Sequence, residues 1–279
     1  MTGIVDGVRA FRVRFAGQAG PGDVVRAHIR EPVVCAAVST PADAAEALAA
    51  GSRDDGSLLC VVAFATGAAG AEFEKQIDAV FAAKALAEPV FRGSVRSVRV
   101  TWSRALVFLA CPPDIEAESL DAVLRFTSAA RATFDLERDM AASWAVLDRF
   151  AQLSHSVGKA EQAFQADVDA LTEKLMRMKV VHLRTQNAIE QLDPLLNGNS
   201  KRLFAQLASP AALADRMEML EDPLQFSQDH CELANTRLIE GKYSHTELKL
   251  EVWIVIILVA ELLAILWDKI PAAWLPAGW

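Results

Sequence analysis

One tyrosine, four cysteines and five histidines leave this chain short of the side chains that most often carry chemistry. Cys35, Cys60, Cys111 and Cys231 are scattered, with no Cys-x-x-Cys. Such spacing excludes a disulfide framework and points to reduced, buried thiols. His28, His155, His182, His230 and His245 form no His-Glu-x-x-His, so neither a zinc centre nor any other metal or cofactor is expected. Basic excess is also missing. The net charge is -8, whereas broad nucleic-acid binding needs a basic surface that displaces counterions from phosphates, so no direct DNA binding is expected. The opening MTGIVDGVRAFRVRFAG lacks the apolar core of a signal peptide. Phe11, Val13 and Phe15 alternate there with Arg12 and Arg14, the period of a half-buried strand.

What is present is apolar mass, 52% of 279 residues. Residues 1–112 read as an α+β domain. Short Val-, Leu- and Phe-rich runs at Val8–Phe15, Val33–Val38, Leu58–Ala65, Val95–Trp102 and Ala105–Ala110 predict strands separated by Gly, Pro or Asp. Helices are predicted over Pro41–Ala50, behind Ser39 and Thr40 as caps, and over Ala71–Ala85, where Phe73, Ile77, Val80 and Phe81 share a face. Such an order suggests one sheet covered on one face.

From Pro112–Pro113 the pattern turns helical, and residues 113–247 read as a mainly α-helical domain. Phe164, Val168, Leu171, Leu175, Met178, His182, Thr185, Ile189 and Leu192 form a heptad-like seam. Met217, Leu220, Leu224, Ser227, Cys231, Ala234 and Leu238 form a second, interrupted by Pro223. The two predict a helical hairpin with a short helix in its connection. Packing within the chain is the favoured reading of the seams, and a coiled-coil arm is the other.

Residues 248–268, beginning LKLEVWIVIILVAELLAILW, are almost wholly apolar. At 1.5 Å per residue Leu248–Trp267 reaches ~30 Å, a bilayer's hydrocarbon thickness, which predicts one C-terminal transmembrane tail anchor with residues 269–279 as a short far-side tail. Lys249, Glu251, Trp253 and Trp267 would mark the boundaries, and lipid would be a partner. Arg237, Lys242 and Lys249 precede the run while Lys269 alone follows, so the body would be cytoplasmic. Glu261 would be a neutral acid facing another helix, beside the small-residue strip of Ala260 and Ala264, and self-association through that face would make a homo-oligomer.

The string LKLEVWIVIILVAELLAIL, with Glu251 at its edge and Glu261 near its middle, resembles the C-terminal signature of the "required for meiotic nuclear division" family, also called the domain of unknown function 155 family. GVRAFRVRFAG and LLCVVAFATGAAGAEFEKQI are similar to its opening strand and its glycine-containing strand and helix start. Asn235-Thr-Arg-Leu-Ile resembles an element before its anchor, and residues 140–215 depart from it. The resemblance implies an α/β part, a helical part, homo-oligomers and no established catalytic residues. It also implies a link to translation at a membrane, with the ribosome as a partner. The location would be the bacterial inner membrane, single-pass, or the matrix side of the mitochondrial inner membrane in a eukaryote.

The favoured function is therefore a membrane-anchored, self-associating scaffold without catalytic activity. The alternative is a ligand- or nucleotide-binding enzyme module in residues 1–112 held at the membrane. Its candidate loop, Gly17-Gln-Ala-Gly-Pro-Gly22, lacks the Gly-Lys-Ser/Thr end of a phosphate loop, and Pro21 removes a backbone donor. Ser154-His155-Ser156 has no strained elbow around its serines. Asp54–Asp55 and Glu221–Asp222 read as solvated acids in turn-like contexts, and Lys174, Arg177, Lys179, Arg184 and Lys201–Arg202 as solvated faces interleaved with Glu173 and Glu190.

Overall fold

Alternation in the first strand sets the sheet. The computed structural model describes residues 8–17, 23–32, 35–42, 57–64, 68–85, 88–153, 161–192 and 196–268. β1 (Val8–Ala16) buries Phe11 and Val13 and turns Arg14 outward. With β2 (Val24–Ile29), β3 (Cys35–Ala42), β4 (Leu58–Ala63), β5 (Phe91–Val95), β6 (Val98–Trp102) and β7 (Leu106–Ala110) it forms a seven-stranded sheet in the order β2-β3-β1-β4-β7-β6-β5. β4 and β7 pair in parallel, and every other neighbouring pair is antiparallel.

The α-helices among the described residues are α1 (Ala68–Lys84), α2 (Glu116–Leu153), α3 (Glu161–Glu190), α4 (Gly198–Ala208) and α5 (Leu213–Asp268). They belong to two compact units, one of Met1–Ser143 with Lys174–Gln225, the other of Trp144–Glu173 with Phe226–Trp279.

In the first unit every residue of β4 and β7 is buried, so the sheet's centre is covered on both faces and not on one. Because successive side chains point to opposite faces, the two strands feed two cores. Leu59, Val61, Leu106 and Phe108 pack with Ile77 and Phe81 of α1. Cys60, Val62, Val107 and Leu109 pack with Leu120, Val123 and Leu124 of α2 and Leu203 and Leu207 of α4.

An aromatic group joins these layers. Trp102 stacks on Phe91 at 5.5 Å and meets the edge of Phe126 at 5.1 Å, and Phe126 meets Phe204 at 6.1 Å. The buried Trp102 indole N–H donates to Thr127 Oγ1 at 2.9 Å, and that hydroxyl donates to the Val123 carbonyl at 2.7 Å. At the edge, Gly93 lets α4 lie close, since a Cβ there would stand 3.3 Å from Leu207 Cδ2. The Ser94 N–H donates to Gln206 Oε1 at 2.6 Å beside it.

Much of each predicted seam is buried inside the chain, with Ile189, Leu192 and Ala234 only partly so. Leu175, Met178, His182 and Thr185 of α3 and Met217, Leu220 and Leu224 of α5 are all buried in the first unit. His182 Nε2–H donates to the Met217 carbonyl at 2.8 Å, and Lys179 Nζ donates to Gln225 Oε1 at 3.2 Å, so α3 and α5 run antiparallel there. In the second unit Leu147, Phe150, Val168, Leu171, Ser227 and Cys231 are buried, and Trp144 packs on Phe226 at 5.9 Å.

The transmembrane expectation is overturned. Among the described residues no helix is long and apolar enough to cross a membrane. The terminal run is not a separate element but the end of α5, which begins at Leu213. Lys249, Glu251 and Glu261 interrupt it, leaving Val252–Ala260 as an uncharged stretch of ~14 Å, about half of the ~30 Å a span needs. The tail anchor and the single-pass inner-membrane location in bacterium or mitochondrion fall with it. The predicted helix at Pro41–Ala50 begins instead as strand, Pro41 and Ala42 ending β3, and its remainder lies outside the described residues.

Phe126→Ala should destabilise the first unit by about 3–5 kcal/mol, since it empties the centre of the aromatic group. Thr127→Val, which orphans the Trp102 N–H while keeping side-chain volume, should cost about 1–3 kcal/mol. Denaturant titration followed by tryptophan fluorescence checks both the sizes and their order.

Candidate functional site

Two features of the described residues stand out as sites. The first is the exposed end of α5. Each large apolar side chain from Leu248 to Ile265 keeps between 50% and 64% of its surface exposed. Ala260, Glu261 and Ala264 are exposed along the same stretch, as are Lys249 and Glu251, while Trp267 lies in the last turn of the helix.

The second lies in the first unit, where the turn between β5 and β6 meets the starts of α2 and α4. Arg96 and Ser97 make a two-residue hairpin loop, with Val95 paired to Val98. Arg96 adopts φ 53°, the left-handed region that glycine and asparagine usually fill in such loops. On one side of the turn is a cavity of about 260 Å³. On the other is an open groove of about 520 Å³ lined by Phe64, Ser94, Arg99 and Cys111, and Arg96 borders both. α4 starts at an Asn197 cap, whose side-chain oxygen accepts from the Ser200 N–H at 2.8 Å. The Asn197 amide also donates to the Glu118 carboxylate, and Ser200 Oγ donates to the Glu118 carbonyl at 3.1 Å.

The thiols supply no nucleophile. All four cysteines are free and buried. Burial pushes the Cys60 thiol up to about 12, against weaker opposing pulls from Arg131 and Arg26. Cys111 is pushed up to about 11 by burial, with Glu116 and Asp114 adding to it. Burial also raises Cys35 and Cys231, with a Thr172 hydrogen bond partly opposing it at Cys231. A thiol held protonated is a weak nucleophile and a weak metal ligand. Among the described residues no group of three or more His, Cys, Asp or Glu side chains could hold a metal ion.

The sequence candidates are not brought together. Gly17 follows β1, and the rest of its glycine loop, Asp54–Asp55 and Ser154-His155-Ser156 lie outside the described residues. Glu221 and Asp222 are exposed as expected but sit inside α5 and not in a turn, because Leu220 and Leu224 are buried on either side and carry the helix through Pro223. Lys174 Nζ donates to the Asp139 carbonyl at 3.2 Å, so part of the basic face is tied down. What sequence reasoning missed is the Arg96–Ser97 turn, read as the interior of one strand. Its only signal was a polar pair between Val95 and Val98, since an Arg-Ser pair carries none of the Asn-Gly chemistry that marks a tight hairpin.

No family model and no curated protein matches the chain. Among solved structures, that of the full-length CmaX protein aligns with 100% of this chain and 93% of its own, at 13% identity and a TM-score of 0.41, a likeness that carries no argument. None of these findings bears on the resemblance to the meiotic nuclear division family.

The raised thiols fix a pH dependence. Their folded pKa values lie above that of an unfolded cysteine, so their contribution is complete below about pH 8.5 and is lost as pH climbs toward 11–12. Cys60→Ala should therefore flatten the fall of stability above pH 9, by up to about 1.4 kcal/mol per pH unit relative to wild type. Denaturant midpoints from pH 8 to 10.5 measure this, and a slope equal to wild type would count against the assignment.

Proposed function

We propose that this protein is a non-catalytic, self-associating scaffold, and that the occupant of the exposed end of α5 is a second copy of the chain. The reading is carried by the exposure of Leu248–Ile265. A soluble monomer's largest apolar patch covers roughly 300–600 Å². Over a dozen large side chains each about half exposed present on the order of 1,000 Å² here, and covering most of that matches the ~800 Å² per partner of a standard stable interface.

Ala260, Glu261 and Ala264 mark the closest approach in this reading. Two small side chains one turn apart leave room for a second helix near the short end of the usual 8–10 Å separation. Glu261 then lies beside the contact, where it bonds across the pair instead of being enclosed alone.

Sedimentation equilibrium of the full-length chain should give a multiple of the chain mass. Ala260→Phe with Ala264→Phe should weaken association roughly tenfold or more, about 1.4 kcal/mol, through overpacking of the contact. A wild-type protein that stays monomeric, or a double variant that associates as wild type does, would remove the basis for this reading.

A further inference from the structure

The 260 Å³ cavity at the β5–β6 turn is lined by groups whose bonding the fold leaves incomplete. Ser119, in the first turns of α2, lines it and is only 5% exposed, yet its hydroxyl makes no hydrogen bond among the described residues. Three other buried hydroxyls on this helix, those of Thr127, Thr133 and Ser143, bond back one turn to the carbonyls of Val123, Ala129 and Asp139, whereas Ser128, like Ser119, does not among the described residues. A buried hydroxyl without a partner is uncommon and calls for an explanation.

Two charges in the same wall are also uncommitted. Arg96 forms no ion pair or hydrogen bond among the described residues, although the flanking arginines of its hairpin are engaged, Arg92 by Asp78 and Arg99 by Glu74. Asp114 lines the cavity and forms no ion pair either, with Arg96 or with any other described residue. The third charge, Glu118, is already held by Asn197. The first turn of α4 closes the wall. Its Gly198 and Asn199 N–H groups have no described acceptor, which adds positive potential near Arg96.

We propose that this cavity binds a small zwitterion of the α-amino-acid type. The carboxylate is taken by Arg96 and the α4 N–H groups, the ammonium by Asp114, and one of them also bonds the Ser119 hydroxyl. A simple anion would meet Asp114 and a simple cation would meet Arg96, so each half-ligand faces a like charge that the zwitterion pairs. The volume is below the ~300–1,000 Å³ of pockets for drug-sized ligands and suits a small metabolite. This inference is independent of self-association.

The test uses the full-length chain, thermal shift and calorimetry, with the proteinogenic amino acids as probes and acetate and methylammonium as half-ligands. At least one amino acid should raise the melting temperature where neither half-ligand does. Arg96→Asn, which suits the left-handed backbone, and Asp114→Asn, at an exposed position, should each weaken binding roughly tenfold or more. Ser119→Ala should weaken it severalfold while leaving the ligand-free melting temperature unchanged or raised, whereas a purely structural hydroxyl would lower it. If Arg96→Asn does not fold, Asp114→Asn alone decides the matter. Absence of binding by every amino acid, equal binding of acetate, or indifference to Asp114→Asn would overturn the proposal.

Discussion

The docking of α2 on the sheet rests on one buried hydrogen bond and the rings around it. Enclosing Trp102 strips water from its indole N–H, which therefore needs an acceptor, and Thr127 supplies one on the facing helix. Once that bond is made, Phe126 is held against Trp102 and Phe91, and Phe204 brings α4 against the same group. The starts of α2 and α4, and with them Ser119 and Asn197, are therefore positioned by an aromatic contact made further along α2. The cavity beside the β5–β6 turn is a consequence of that packing.

Charge is handled in two ways in the first unit. Around the sheet edge arginines are matched to carboxylates, Arg14 to Asp23, Arg99 to Glu74 and Arg104 to Asp135, pairs that are partly exposed and contribute little stability individually. Arg216 Nη1 instead donates to both oxygens of Glu137, at 2.9 and 2.8 Å, a charge-assisted contact that ties the start of α5 to α2. Arg96 and Asp114, both exposed, take part in neither arrangement among the described residues.

Much of the fold was legible where one period dominated. Phe11 and Val13 alternate with polar residues and form a strand; Ile77 and Phe81 share a helix face and pack on the sheet; Leu175, Met178 and His182 recur at helical spacing and are buried. β2 and β5 were not legible. In VVRAHI both valines are exposed at the sheet's edge, and FRGSV holds a glycine required by the approach of Leu207, so neither shows a clean alternation. The terminal run misled for the opposite reason, because hydropathy counts residues without registering that Lys249, Glu251 and Glu261 divide one continuous helix. Of the candidate sites, the α5 residues could be named in advance because apolarity is local.

Taken alone, the sequence determined the class of each long element, the scattered spacing of its cysteines, and the apolar character of its last helix, since each depends on neighbours a few residues apart. The tertiary structure decided which strand pairs with which, that both faces of the sheet are covered, and that residues 96, 114, 119 and 199 share one wall. Those depend on contacts between segments far apart in the chain, where loop closure and side-chain packing, not local preference, select the partner.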